Sequence, residues 1–363
     1  MIERAELAAW LRLLETPQVG RETARRLLAA FGSPQAVFEA SEAALRGVAG
    51  SPVGTLTVPP PALEAMLEAT LQWLAADEQR AVVTLGDALY PVSLLETADP
   101  PLLLYLQGRA ELLAAASVAV VGSRNPTAQG VDNARSFARH LSHAGLSVVS
   151  GLALGIDGAA HEGALEGAGS TIAVVGTGLD RVYPRRHLDL AHRIAATGLL
   201  VSEYPLRTFP LAANFPQRNR LIAGLSRGTL VVEAALQSGS LITARLAAEC
   251  GREVFAIPGS IHAPQSRGCH ALIKQGAKLV DSARDILEEL RLAVPLPAAA
   301  SGDTSARADP LLQALGHDPV TLDALVERTG VAPADLSVRL LELELEGQVA
   351  RLPGQLFQRV ARG

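Results

Sequence analysis

From about Ala81 onward, short apolar runs alternate with helical patterns, and no other feature of this 363-residue chain restricts its fold so strongly. The runs SVAVV, LSVVS, TIAVV, LLVS, TLVV and VFAI carry no polar residue at every second position, so each is apolar on both faces. Such a strand must be covered on both sides. Between the runs lie helical stretches, among them GVDNARSFARHLSHAG, AAHEGALEGAG, LDLAHRIAATG, RNRLIAGLSRG and LITARLAAECGRE. This alternation predicts a Rossmann-like, doubly wound, mostly parallel α/β sheet with helices on each face. In such sheets ligands sit beyond the carboxyl ends of the strands, where strand order reverses. The residues just after each strand are therefore the ones to inspect.

Two stretches rich in proline and small residues interrupt the pattern, SPVGTLTVPPP from Ser51 and VPLPAAASGDTSARADP from Val294. They suggest linkers and divide the chain into a helical domain over residues 1–60, the α/β domain over 80–290, a flexible linker over 291–308 and a tail over 309–363. In the first of these, TPQVGRETARRLL resembles one helix-hairpin-helix element, whose glycine turn can offer amide groups to a phosphate. A single copy of that element is more often a packing module. The tail shows three helical patterns, LLQALG, TLDALVERTG and PADLSVRLLELELEG, followed by the hairpin pattern QVARLPGQLFQRV. That order is winged-helix-like. A helix that reads DNA in such a domain is usually basic, whereas SVRLLELELEG is acidic, which favours a protein contact.

With 48% apolar residues the chain can fill a sizeable core. Its two cysteines, Cys250 and Cys269, are too few for a disulfide framework or a zinc site, and point to a reducing cytoplasm. The N-terminus MIERAELAAWLRLLE lacks a signal-peptide core, and the longest apolar run, Leu112 to Gly122, is far short of a membrane span. A cytoplasmic protein without membrane contact is expected. The net charge of −5 argues against a protein that coats duplex DNA through a general basic field. Its distribution is uneven, because residues 116–290 hold 17 Arg and Lys against 14 Asp and Glu, a net of +3, whereas residues 309–363 hold 5 against 8, a net of −3. Any nucleic acid would bind the middle.

After SVAVV come Gly122, Ser123, Arg124, Asn125, Pro126 and Thr127, with neither a G-x-G-x-x-G fingerprint nor the lysine of a P-loop. The turn offers a glycine for close backbone approach, amide and hydroxyl donors, and a guanidinium fork suited to phosphate. The next strand ends in SGLALGIDGAAH, where Ser150 and Gly151 can open an anion-accepting nest. Asp157 and His161 stand four apart on one helix face there, a spacing that suits a local hydrogen bond better than a catalytic triad, since no nucleophile elbow accompanies them. In GTGLDRVYPRRH, Gly176 and Gly178 follow a third strand, with Arg181, Arg185, Arg186 and His187 just beyond. Part of that charge is a solvated face.

The stretch NFPQRNRLIAGLS follows LLVSEYP and begins a helix, so Phe215, Arg218, Asn219 and Arg220 are expected on the same rim as Gly122 to Arg124. Arg218 and Arg220 are expected on the first helical turn, where free amides and the helix dipole also favour an anion. An aromatic face flanked by guanidinium groups suits single-stranded nucleic acid, because every base has a π-face and the arginines take the phosphates. Phe215 could equally be a core residue.

Together these motifs resemble those of the DNA processing protein A (DprA, or Smf) family. The resemblance rests on YPVSLLETADPPLLLYLQG, VAVVGSRNPTAQG, VVSGLALGIDGAAHEGAL, TIAVVGTGLDRVYPRRH, VSEYP, NFPQRNRLIAGLS, VVEAALQSGSLITARLAAECGREVFAIPG and GCHALIKQGA, and it covers about residues 80–290. One departure is His270, which stands where the family usually has asparagine. The resemblance implies an extended Rossmann fold, flanked by a small SAM or helix-hairpin-helix-like domain and a winged-helix-like domain. It also implies a homodimer that binds and protects single-stranded DNA and loads RecA recombinase during natural transformation, with single-strand binding protein as a further partner. By motif match its phosphate pocket falls on Gly122, Ser123, Arg124, Arg218, Asn219 and Arg220 and its base-contacting aromatic on Phe215, to which the strand-end positions Ser150, Gly151 and Gly176 are added. No catalysis, cofactor or metal is implied.

Two other readings compete. An enzyme related to Rossmann-like nucleoside monophosphate phosphoribohydrolases would use Glu233 or Asp157 as acid or base, but its PGGxGT-type loop is replaced here by LQSGSLITA. An adaptor would recruit a partner through the acidic tail from about Asp309.

Overall fold

The computed structural model describes residues 2–50, 53–292, 309–316 and 319–360. Nine strands form one sheet: β1 (Arg80–Thr84), β2 (Leu103–Gly108), β3 (Ser117–Val121), β4 (Ser147–Ser150), β5 (Thr171–Val174), β6 (Leu199–Ser202), β7 (Gly228–Val231), β8 (Glu253–Ala256) and β9 (Lys278–Leu279). Their order is β1-β2-β6-β5-β4-β3-β7-β8-β9. The strands from β3 to β9 run parallel, while β1 pairs antiparallel with β2 and β2 with β6. Every residue of β3, β4, β5, β6 and β7 is buried, as strands apolar on both faces require. Strand order reverses where β3 lies between β4 and β7, so the crevice expected of a doubly wound sheet opens beyond the carboxyl ends of β3 and β7.

One face of this sheet carries the N-terminal helices. Arg4–Glu15 and Arg21–Phe31 form the pair expected from TPQVGRETARRLL, joined by a turn that ends at Gly20. The segment between the two expected domains is itself a helix, Leu63–Ala75, and carries Trp73 in its last turn, whose ring meets Tyr105 of β2 edge-on at 6.0 Å. Leu7, Leu11 and Leu27 share one apolar cluster with Leu103, Tyr105, Ala173 and Leu200. The helices and the sheet thus form a single compact unit with a continuous core. The other cluster, built on Leu104, Val121, Val174, Val201, Leu221, Ile222 and Val231, binds the helix Asn214–Leu225 to the opposite face.

The residues of the expected linker from 293 to 308 lie outside the described residues. Beyond them, helices Pro310–Leu315, Leu322–Thr329 and Pro333–Leu345 pack with a three-stranded sheet of order β10-β12-β11, made of β10 (Val320–Thr321), β11 (Val349–Leu352) and β12 (Leu356–Arg359). Leu312, Leu325, Leu336, Leu340, Leu343, Val349 and Phe357 give this part its own core. Three helices followed by an antiparallel hairpin are the winged-helix arrangement read from the sequence. Asp309 caps the first helix through Leu311 N–H and also pairs with Arg339, whose Nη2 lies 2.6 Å away.

Candidate nucleic-acid interface

A cavity of about 690 Å³ occupies the crevice at the ends of β3 and β7. Of the residues expected there, Gly122, Ser123, Arg124, Phe215, Arg218 and Asn219 line it. The turn after β3 is held open by its neighbours. Ser123 N–H donates to the Glu233 carbonyl beyond β7 at 2.7 Å, and Ile156 N–H donates to the Ser123 carbonyl at 3.1 Å. A Cβ on Gly122 would fall 2.7 Å from Ile156 and 2.9 Å from the Glu233 carbonyl, so no side chain fits between the two strand ends. Arg124 is exposed, forms no ion pair among the described residues, and places its guanidinium carbon 5.7 Å from the centroid of the Phe215 ring. Tyr183 is a second neighbour of that ring, its plane tilted by 37° and its centroid 5.5 Å away. Phe215 is therefore a half-buried wall of the cavity with aromatic and cationic neighbours, and not a core residue.

Arg218 plays a different part from the one its position in the sequence suggested. The helix begins at Asn214, so Arg218 opens its second turn and the first-turn amides lie ahead of it. Its side chain is 3% exposed, and its Nη1 donates to the Gly151 carbonyl at 2.7 Å and to the Val174 carbonyl. The guanidinium lies so close to Gly151 that a Cβ there would fall 2.6 Å from Nη2. Burial pulls the Arg218 pKa down to about 10, with Asp157 opposing the shift and Arg124 adding to it, so the group stays charged at neutral pH. Its Nε has no hydrogen-bond partner. Arg218 thus ties β4 and β5 together at their carboxyl ends and lends positive potential to the cavity floor.

The loop SGLALGID is also held from within. Asp157 accepts from Gly151 N–H at 3.1 Å and Ala153 N–H at 3.3 Å. Burial raises its pKa, against the lowering effects of Arg218 and of those two amides. His161 forms no bond to Asp157, contrary to the expectation from their spacing. It accepts from Leu152 N–H at Nε2, 3.2 Å, and its Nδ1 lies 2.7 Å from Thr171 Oγ1. The Thr171 hydroxyl donates to the Val148 carbonyl at 2.6 Å, so it can only accept from histidine, which fixes the Nδ1–H tautomer.

Three other positions do not reach the cavity as expected. Ser150 is fully buried, and its hydroxyl donates to the Val120 carbonyl at 2.7 Å, so it braces β4 against β3 and opens no nest. Gly176 gives room to Phe215, whose Cδ1 would lie 3.2 Å from a Cβ there, and its carbonyl accepts from Asn214 Nδ2 at 3.0 Å. Arg220 turns away into an ion-pair cluster. It meets Glu203 through two bonds of 3.1 and 2.5 Å and Asp99 at 3.1 Å, and the same two acids receive Arg21, while Arg25 reaches Asp99 at 2.6 Å. Arg21 and Arg25 of the helix-hairpin-helix element are therefore committed to these acids, whereas Arg26 bonds the Val48 carbonyl. His270 donates from Nε2 to the Gly259 carbonyl, 3.0 Å away.

The sequence reading missed the opposite wall. Gln237, Ser238, Ser240 and Thr243 line the cavity from the loop after β7 and the helix Ser240–Glu249. Tyr183, within GTGLDRVYPRRH, was not singled out either, and it lines the cavity. The signal that could have found both is the strand-end rule applied to β5 and β7 as strictly as to β3.

The fold and this cavity define an α/β protein with a strand-end pocket suited to an anionic ligand that carries a flat ring. Residues 81–291 match the family model for DNA recombination-mediator protein A, residues 295–355 the DprA winged helix domain, and residues 4–48 the DprA-like N-terminal HHH domain. The chain belongs to the DNA recombination-mediator protein A family. Protein Smf of Escherichia coli K12 is 45% identical over 298 residues, 79% of each chain. The X-ray structure of DNA processing protein A from Streptococcus pneumoniae superposes with a TM-score of 0.68 at 38% identity, covering 79% of this chain and 98% of that one. A structure of the Helicobacter pylori protein, described for its single-stranded DNA binding mode, matches with a TM-score of 0.53 at 33% identity, over 58% of this chain and 95% of that one. No described helix is long and apolar enough to cross a membrane.

Proposed function

We propose that this chain binds single-stranded DNA in the cavity beyond β3 and β7 and serves as a non-enzymatic mediator that protects the strand and delivers it to RecA during natural transformation. The observation that carries the proposal is the free guanidinium of Arg124 beside the half-buried Phe215 ring, at the mouth of a cavity with a second, buried cation. A base stacks on the ring while Arg124 meets the adjoining phosphate. The single-strand binding described for the Helicobacter pylori relative supports this reading. Action as a cytoplasmic homodimer, alongside single-strand binding protein, belongs to the same proposal. Asp157 supports a binding role over acid–base catalysis, because its carboxylate is engaged by two loop amides.

The test is a titration of a fluorescent single strand and of the matching duplex at several salt concentrations. For single strands the log–log slope is about −0.7 per phosphate neutralised. Arg124→Ala should weaken single-strand binding and flatten that slope, with the fold intact because Arg124 is exposed and unpaired. An unchanged slope in that variant would remove Arg124 from the interface, and equal, negligible binding of both DNAs by the parent protein would sink the proposal.

A further inference from the structure

The rim of the cavity carries a feature that neither the family motifs nor the pocket explains. Among the described residues, the exposed large aromatic side chains are Tyr183 and Phe209, and both stand at this one place in the fold. Tyr183 lines the cavity itself. Phe209 is 61% exposed and directly precedes Pro210, which lines the same cavity together with Ala212.

Phe209 is not a loose loop side chain. Its backbone sits in a braced turn: Gly178 N–H donates to the Thr208 carbonyl at 3.2 Å, Arg207 N–H to Asp180 at 2.7 Å, and Leu211 N–H to the Phe209 carbonyl at 2.9 Å. One face of the ring is covered by Arg181, whose guanidinium carbon lies 4.1 Å from the centroid. The Arg181 Nε is buried without a hydrogen-bond partner. The rest of the ring faces water, where an apolar surface of that size is unfavourable unless something covers it. Arg207, two residues before Phe209, and Arg185 and Arg186, on the segment that carries Arg181, are exposed and form no ion pair among the described residues, although every arginine of the Arg220 cluster is paired.

We infer that Phe209, backed by Arg181, is a second stacking platform for a base of the bound single strand, and that Arg185, Arg186 and Arg207 attract the phosphates beside it. The inference rests on the single-strand reading above and extends that site along its rim. A cation on one face of an aromatic ring leaves the other face free to stack on a base, and stacking tolerates any sequence because each base has a π-face. The unpaired arginines supply the charge complementarity that a purely apolar partner would not need. The strand then runs from the Phe215 cavity over Tyr183 and Pro210 to Phe209.

The experiment compares strands of about 4 and about 16 nucleotides, the span of site sizes found for folds that bind single strands. With the full chain, Phe209→Ala should leave the short strand, which fills only the cavity, unaffected and weaken the long strand by about five- to a hundredfold. In Phe209→Trp, which keeps the platform, the long strand should quench the new indole fluorescence, and an abasic deoxyribose-phosphate strand of equal length should not. Arg185→Ala with Arg186→Ala should flatten the salt slope for the long strand alone. If the parent protein binds long strands while Phe209→Ala binds them equally well and Phe209→Trp fluorescence stays constant, the second platform is overturned and the cavity reading survives. Failure of the parent protein to bind either strand removes both.

Discussion

At Arg218 the chain holds a cation where water scarcely reaches it, and it does so with backbone carbonyls instead of a carboxylate. The carbonyls of Gly151 and Val174 receive its Nη1, which is why position 151 admits no side chain. His161 is the neutral counterpart. Burial first, then the charges of His187 and Arg218, push its pKa down to about 3 from an ordinary value of 6.5. Acceptance from Leu152 N–H at Nε2 requires the neutral ring, so the unfolded chain binds this proton more readily than the folded one. Stability contributed by this residue is complete above pH about 6.5 and is lost progressively as pH falls toward 3. Urea midpoints measured across that range should therefore decline with acid, and His161→Gln should show a shallower decline from a lower starting stability. A slope identical to that of the parent protein would show that other groups dominate.

Between elements, the ion-pair cluster of Arg21, Arg25, Asp99, Glu203 and Arg220 joins the helix Arg21–Phe31 to the end of β6 and to the helix that carries Phe215 and Arg218. The Glu203 side chain is 5% exposed, so its charge is compensated only by these guanidinium groups. Burial alone would raise the Asp99 pKa, but the hydrogen bond from Arg25 and the charges of Arg220 and Arg21 outweigh it and hold the carboxyl below its usual range. Glu203→Gln leaves three arginines facing one carboxylate. The expected loss of unfolding stability at pH 7 is roughly 3–5 kcal/mol, the range for removing one partner from a buried pair, read by denaturant titration. A loss below about 1 kcal/mol would mean that water enters the cluster and screens it.

For the whole molecule, the winged-helix part has a core of its own. Its helix Pro333–Leu345 exposes Val338, Leu341 and Leu345 beside Glu342 and Glu344, a surface unlike the basic helices that enter a DNA groove. A protein lacking residues 309–363 is expected to keep its single-strand affinity within about threefold, well under the tenfold that corresponds to about 1.4 kcal/mol. Fluorescence anisotropy on the shortened chain checks this, and a collapse of affinity would place part of the interface on the tail.

Strands apolar on both faces, alternating with helical periods, determined the parallel sheet, the crevice at its switch point and the motif-bearing turn at Gly122 to Arg124, because burial and pairing demands act on each run separately. The three helices and hairpin of the tail were legible for the same reason. What only the tertiary structure decided is the direction in which each side chain points once a segment is placed. Arg218 and Arg220 stand two residues apart on one helix, so they project about 200° apart. One enters the cavity floor, the other meets Glu203, 17 residues back, and Asp99, 121 residues back in the chain. Ser150 turned inward, and the wall from Gln237 to Thr243 came into view, through the same kind of long-range packing, which no local pattern records.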